Sequence, residues 1–77
     1  MNYDLAMMAL EGMMRTPMNV HVEGGDVVIE GEGAAFKELA RLCLLLGSAQ
    51  ATTDDGYELE PGKHLARQSM KFRMRLG

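Results

Sequence analysis

The sequence has almost nothing that could crosslink the chain or anchor it in a membrane. Cys43 is its one cysteine, so no disulfide can form within the 77 residues. A single cysteine suits a reducing compartment, and we expect a cytoplasmic protein. No apolar run approaches the roughly 20 residues that a membrane span needs. Asp4 and Glu11 stand where a secretory signal would carry basic residues, so we expect neither membrane insertion nor a signal peptide.

Positive charge is also scarce. The formal net charge is −3 and the calculated pI is about 5.2, which disfavours nucleic acid as a partner. Lys71, Arg73 and Arg75 alternate along the end of the chain and form a basic stripe. The stripe is either a solvated sheet face with ion pairs or a surface for an anionic partner. Because the stripe itself carries no aromatic side chain, we do not expect RNA or DNA to stack there.

The length predicts one small domain, residues 1–77. Apolar residues make up 47% of the chain, enough to build a core. A chain this short buries only about 60% of its unfolded surface, and its core supplies on the order of 3–5 kcal/mol of stability. Self-association would therefore supplement the fold.

A hairpin followed by a helix is predicted for residues 18–46. Val20 and Val22 alternate with polar residues, and Gly24-Gly25 is suited to a type I′ turn. This turn pairs Val22 with Val27 and Val20 with Ile29, which puts all four side chains on one face.

Two segments have helical periodicity. The first runs from Asn2 to Met14 and ends at Thr16-Pro17. The second runs from Ala34 to Leu46 and ends at Gly47. Its apolar stripe, expected to face the sheet, consists of Phe36, Leu39, Ala40, Cys43 and Leu46.

Extended patterns follow at Tyr57–Leu59 and Ser69–Leu76. The elements together predict an α+β fold, an antiparallel sheet of three or four strands with the central helix on one face. An N-terminal helix (1–15) would lie beside this ββα-β core (18–77). The expected core residues are Val20, Val22, Ile29, Phe36, Leu39, Cys43, Phe72 and Met74.

No pattern in the chain indicates catalysis. Neither His21 nor His64 has Cys, Asp or Glu at a recognised metal-ligand spacing. Gly31-Glu32-Gly33 precedes a helix but lacks the third glycine of a phosphate-binding turn. Cys43 lies in the apolar stripe and is expected to be a buried hydrophobic residue. We therefore expect no metal, no cofactor and no enzymatic activity.

Four carboxylates are concentrated in one loop-like stretch. Asp54, Asp55, Glu58 and Glu60 are either solvated or form a contact region for a basic protein partner. In the second case they would act mainly on the association rate.

The predicted helices carry more apolar surface than one sheet can cover. We expect a homodimer, because a monomer rarely leaves a large apolar patch in water. The alternative is that the two helices cover each other within one chain. The residues assigned to self-association are Met7, Leu10, Met14, Leu42 and Leu45.

Several segments resemble one family of small bacterial proteins. The run from Val20 to Gly31, the pattern from Phe36 to Leu42, and the segments Tyr57–Pro61 and Ser69–Met74 are similar to immunity protein family 32. The resemblance covers about residues 18–76. It implies a non-catalytic inhibitor that binds and neutralises a toxin, and it supplies no site residues. The alternative is a small homo-oligomeric scaffold or regulatory protein, including a phage-encoded inhibitor of a host system.

Overall fold

The computed structural model describes residues 2–77 as two helices and four strands. Their order and bounds are α1 (Tyr3–Arg15), β1 (Asn19–Glu23), β2 (Asp26–Glu30), α2 (Gly33–Leu46), β3 (Gly56–Leu59) and β4 (Phe72–Arg75). The α+β class is confirmed. The single sheet of three or four strands is wrong, because β1 pairs with β2 and β3 pairs with β4 in two separate antiparallel sheets.

The β1–β2 hairpin has the predicted register and turn. Val20 pairs with Ile29, and Gly24 and Gly25 have φ angles of 52° and 89°, as a type I′ turn requires. Only the end away from the turn is covered, since Val20 is 2% exposed while Val22 is 54% exposed. The expected burial of Val22 is therefore wrong, because α2 packs against α1 and leaves the turn end uncovered.

Small residues allow α1 and α2 to pack closely. α1 begins after Asn2, whose side chain accepts a hydrogen bond from the Leu5 N–H at 3.1 Å. Where the helices meet, a Cβ on Gly12 would lie 2.7 Å from Glu38 Oε2, so a side chain there would require the Glu38 side chain to move. The buried residues of the two helices are Ala6, Ala9, Gly12 and Met13 on α1, and Ala35, Leu42 and Leu46 on α2.

The buried face of α2 is rotated from the predicted one. Leu42 is completely buried, whereas Phe36 is 42% exposed and Cys43 is exposed. The expectation of a core Phe36 and a buried Cys43 is wrong, because contact with α1 turns the Leu42 flank inward. Of the other expected core residues, Val20 is buried, and Ile29, Leu39, Phe72 and Met74 are partly buried against the core.

A segment without regular structure, residues 64–70, covers the edge of β1. The Ala66 N–H donates to the Met18 carbonyl and the Met70 N–H donates to the Val20 carbonyl, both at 2.7 Å. The Val20 N–H donates to the hydroxyl of buried Ser69 at 2.7 Å. Because this segment occupies the edge of β1, β4 does not pair there, and it pairs with β3 in the second sheet. Among residues 2–77, no strand pairs with the opposite edge of the hairpin, along β2.

The core is one cluster drawn from both helices, β1, β3 and the 64–70 segment. Its largest fully buried side chains are Met13, Met18, Leu42, Leu59 and Leu65. Within residues 2–77, no helix has the length and apolar character to cross a membrane.

His64 lies buried at the start of the covering segment, with 6% of its surface exposed. Its Nδ1 accepts a hydrogen bond from the Glu60 N–H at 3.3 Å, which requires the neutral ring. Burial, assisted by the Lys63 charge and opposed by Glu60, lowers the pKa of His64 from its usual value.

We expect Leu42→Ala to lower the free energy of unfolding by about 2–5 kcal/mol, because it opens a cavity in the helix contact. Leu39→Ala should cost less, since Leu39 is only partly buried. Urea denaturation of both variants measures the difference. Equal losses would mean that the two positions are equally buried in solution.

We expect stability to fall as the pH drops below about 6.5, the unperturbed value for histidine. The unfolded chain then binds a proton at His64 that the folded chain excludes, so the contribution is complete above this pH. In His64→Asn, which keeps an acceptor at the δ position, this part of the pH dependence should disappear. His21→Gln removes the other histidine and should retain it. Thermal midpoints between pH 5 and 8 test both variants, and an unchanged slope in His64→Asn would exclude His64 as the cause.

Candidate functional site

An apolar groove of about 550 Å³ lies between α1 and α2 on the outside of the helix pair. Its most exposed apolar side chains are Leu5, Met8 and Leu44, which are 50%, 65% and 75% exposed. We call it the helix-pair groove, and its lining residues are Leu5, Met8, Ala9, Arg15, Glu38, Arg41, Leu44 and Leu45.

The groove arises because α1 turns its small side chains inward. Ala6 and Ala9 are buried, and the longer Leu5 and Met8 are left at the surface. Charged groups border the apolar part. Arg15 lies in the last turn of α1, where the helix dipole favours a cation, and Arg41 forms an ion pair with Glu38 on α2. The groove is thus an apolar surface with a mixed but predominantly basic border.

The residues assigned to self-association are divided by the structure. Leu42 is fully buried in the helix contact and is not available to another molecule. Leu10 and Leu45 are partly buried against the core, while Met7 and Met14 are 56% and 47% exposed. The helices therefore cover each other in part, as the monomer alternative required, but apolar surface remains. The homodimer stays a prediction.

Sequence reasoning did not select the exposed side of the groove. On the first helix it assigned Met7, Leu10 and Met14 to self-association, and Leu5 and Met8 were not among the assigned residues. The available signal was the pair of alanines, Ala6 and Ala9, because small residues allow two helices to approach closely.

Asp55 of the acidic segment has a structural role. Its carboxylate accepts hydrogen bonds from the Thr52 N–H at 2.7 Å and from the Tyr3 hydroxyl at 3.1 Å. The backbone hydrogen bond from Thr52 is the main reason why the pKa of Asp55 lies below its usual value. The hydrogen bond to Asp55 in turn raises the pKa of Tyr3. Asp55 thus connects the loop before β3 to the start of α1.

Glu58 neutralises part of the basic stripe. It lies opposite Arg73 in the β3–β4 register. Its carboxylate is 3.2 Å from Lys71 Nζ and 3.8 Å from Arg73 Nη1. The stripe and the acidic segment therefore meet on one sheet face. Asp54 and Glu60 are exposed, so the four carboxylates do not act as one uniform surface.

A second polar cluster lies on the hairpin and was not predicted from the sequence. His21 Nε2 is 3.1 Å from a Glu23 oxygen and 3.2 Å from a Glu30 oxygen. Its Nδ1 is 3.0 Å from Asn19 Oδ1. Glu30 reaches His21 because the turn places it opposite Asn19 in the register. The cluster could have been found from the strand register, which brings Glu30 to the same face as His21. The spacing of these residues along the sequence does not indicate it.

Comparison with known proteins gives no match to this chain among family models, curated proteins or solved structures. The resemblance to immunity proteins accordingly remains a prediction from the sequence.

We expect Asp55→Asn to lower the thermal midpoint, because an amide is a weaker acceptor for the Thr52 and Tyr3 donors than a carboxylate is. Asp54→Asn removes the same charge from the adjacent exposed residue and should leave the midpoint nearly unchanged. Scanning calorimetry at pH 7 compares the two variants. Equal midpoints would show that the link between the loop and α1 does not contribute to stability.

Proposed function

We propose that this protein acts without catalysis, by stoichiometric binding of another protein in the helix-pair groove. The observation that carries the proposal is the exposure of Leu5, Met8 and Leu44 around one cavity. Apolar side chains clustered at the surface lower the solubility of a small protein, and clusters of this kind mark sites of protein contact. Met8 suits this role, since an unbranched thioether side chain adapts to the shape of a partner.

The shape and border of the groove define the chemistry of the partner. A cleft between two helices accepts an amphipathic helix whose apolar residues recur at i, i+3 or i+4 and i+7. Arg15 and Arg41 border the cleft, and Glu38 offsets one of these charges. The groove therefore favours a helix that has an acidic residue next to its apolar stripe.

The biological role that we propose is inhibition of a toxin in the bacterial cytoplasm. The support is the resemblance of residues 18–76 to immunity proteins, together with an exposed apolar groove. Asp54 and Glu60 are exposed carboxylates that can accelerate association with a basic partner. Asp55 and Glu58 contribute less to this steering, because both have partners within the chain.

A second candidate is a homodimer formed by α1, as in a small scaffold or regulatory protein. Asp4 and Arg15 occupy the first and last turns of α1 and are exposed. In an antiparallel pair of α1 helices, Asp4 of one copy lies opposite Arg15 of the other. This arrangement forms two ion pairs at the ends of the contact, and it places Met8 of one copy opposite the exposed Glu11 of the other, which must keep its carboxylate at the solvent edge.

Two methionines of α1 allow a matched test of the groove. Met8→Glu should weaken capture of a protein partner by at least about 10-fold, since it places a charge in a desolvated contact. Met7→Glu changes a neighbour of similar exposure that does not line the groove, and it should bind normally. The probe is the purified product of the adjacent gene, measured by calorimetry. Equal affinities for both variants would exclude the groove as the contact.

Light scattering at micromolar concentration tests the homodimer. A dimer has twice the 8.5 kDa chain mass. Arg15→Glu should dissociate it through repulsion from Asp4, and Asp4→Lys in the same chain should restore it. A wild-type mass equal to that of one chain would exclude this candidate without affecting the first.

A further inference from the structure

The outer face of the hairpin concentrates negative charge around one imidazole. The register places three carboxylates on the face that carries His21, and all of these groups are partly or fully exposed. The residues of this face are Asn19, His21 and Glu23 on β1, and Asp26, Val28 and Glu30 on β2.

Asn19 contacts the ring nitrogen of His21 that points away from the carboxylates. The contact of 3.0 Å joins His21 Nδ1 to the Asn19 carboxamide oxygen, which can only accept a hydrogen bond. With a hydrogen on Nδ1 donated to this oxygen, Nε2 is left to face Glu23 and Glu30, where it can hold either a hydrogen or a metal ion between itself and the carboxylates. Histidines that bind metals are oriented in this way, with the second nitrogen donating to an oxygen.

The three donor atoms lie nearly as close together as the ligands of one metal ion. Nε2 lies 3.1 Å from the Glu23 oxygen and 3.2 Å from the Glu30 oxygen. One ligand atom from each of the three residues lies within 4.8 Å of the others. A tetrahedral ion with metal–donor bonds of about 2.0–2.2 Å holds neighbouring ligands about 3.3–3.6 Å apart. The two measured distances lie just below this interval, so a small outward movement of the carboxylates would admit the ion.

We propose that His21, Glu23 and Glu30 bind one divalent transition-metal ion of the zinc type. An imidazole nitrogen favours zinc over magnesium or calcium, and the two carboxylates neutralise the charge of the ion. Three protein ligands leave a coordination position for water. Because Glu23 and His21 belong to β1 and Glu30 belongs to β2, the ion connects the two strands and stabilises the hairpin.

The alternative occupant of the same geometry is a proton. A protonated His21 would form ion pairs with Glu23 and Glu30 at the same distances, with no role for a metal. Both states satisfy the electrostatics of the face, so a direct metal titration is required to separate them.

The experiment is a titration with zinc chloride by calorimetry, in a Cys43→Ser background that removes the exposed thiol as a competing ligand. We expect one zinc ion per chain and a higher thermal midpoint in its presence. His21→Gln and Glu30→Gln should each weaken binding at least about 10-fold, and Asn19→Ala, which acts through ring orientation, by about 10-fold. Asp26→Asn is the matched control, since it removes a carboxylate of the same face that is not a ligand.

Four results would overturn the proposal. Absence of zinc binding, or equal affinity in wild type and His21→Gln, would show that the cluster is not a zinc site. An equal loss of zinc affinity in Asp26→Asn and Glu30→Gln would show that the ion is attracted by the general negative charge of the face and not by a defined site. Magnesium binding as strong as zinc binding would exclude a role for the imidazole. Conversely, nitrogen chemical shifts that change at His21 and not at His64 on zinc addition would support it.

Discussion

The backbone hydrogen bonds between β1 and residues 64–70 unite the two halves of this fold. Met18 and Val20 each accept a bond at 2.7 Å from that segment, and Ser69 satisfies the Val20 N–H. A buried amide without such a partner costs about 1–3 kcal/mol. These bonds hold the C-terminal half against the hairpin and bring Leu65 into the core beside Met18. They also occupy the edge of β1, so no strand of the second sheet pairs there.

The contact between α1 and α2 has an effect at the opposite surface. Ala6, Ala9 and Gly12 bring the helices close together and use little apolar volume in doing so. The longer side chains of α1 are then left outside, where Leu5 and Met8 line the groove. The small residues of α1 at the helix contact thus explain both the close packing of the pair and the exposure of an apolar surface. A chain with larger residues at the contact would hold its helices further apart and would change the groove.

Local features of the fold could be predicted from the sequence, and the assembly of its parts could not. Alternation and the Gly24-Gly25 turn were sufficient for the hairpin register, because the turn geometry and the strand pattern impose the same pairing. The helix ends at Thr16-Pro17 and Gly47 likewise depend on neighbouring residues. Which face of α2 is buried depends on its packing partner. Apolar residues surround most of that helix, so its own sequence does not distinguish Leu42 from Cys43.

The candidate sites follow the same division. The hairpin register was sufficient to bring His21 and Glu30 to one face, but the 3.2 Å contact between them also depends on the conformations of both side chains. In the sequence Asp55 is one residue of a polar loop. The hydrogen bond that it accepts from Tyr3 joins residues 52 positions apart, which local patterns cannot predict. The groove depends on how α1 and α2 pack, because both helices carry more apolar surface than the contact between them buries. Long-range contacts of this kind are not encoded in local spacing.

The outer edge of β2 has a consequence for the behaviour of the chain at high concentration. Strand edges of this kind serve as templates on which other chains add, and this is how ordered aggregates begin. Val27 and Val28 in the middle of β2 have high β-propensity. The charges of Asp26 and Glu30 stand at its two ends. An incoming copy of the same strand would bring like charges together, so these two residues act as gatekeepers against edge-to-edge polymerisation.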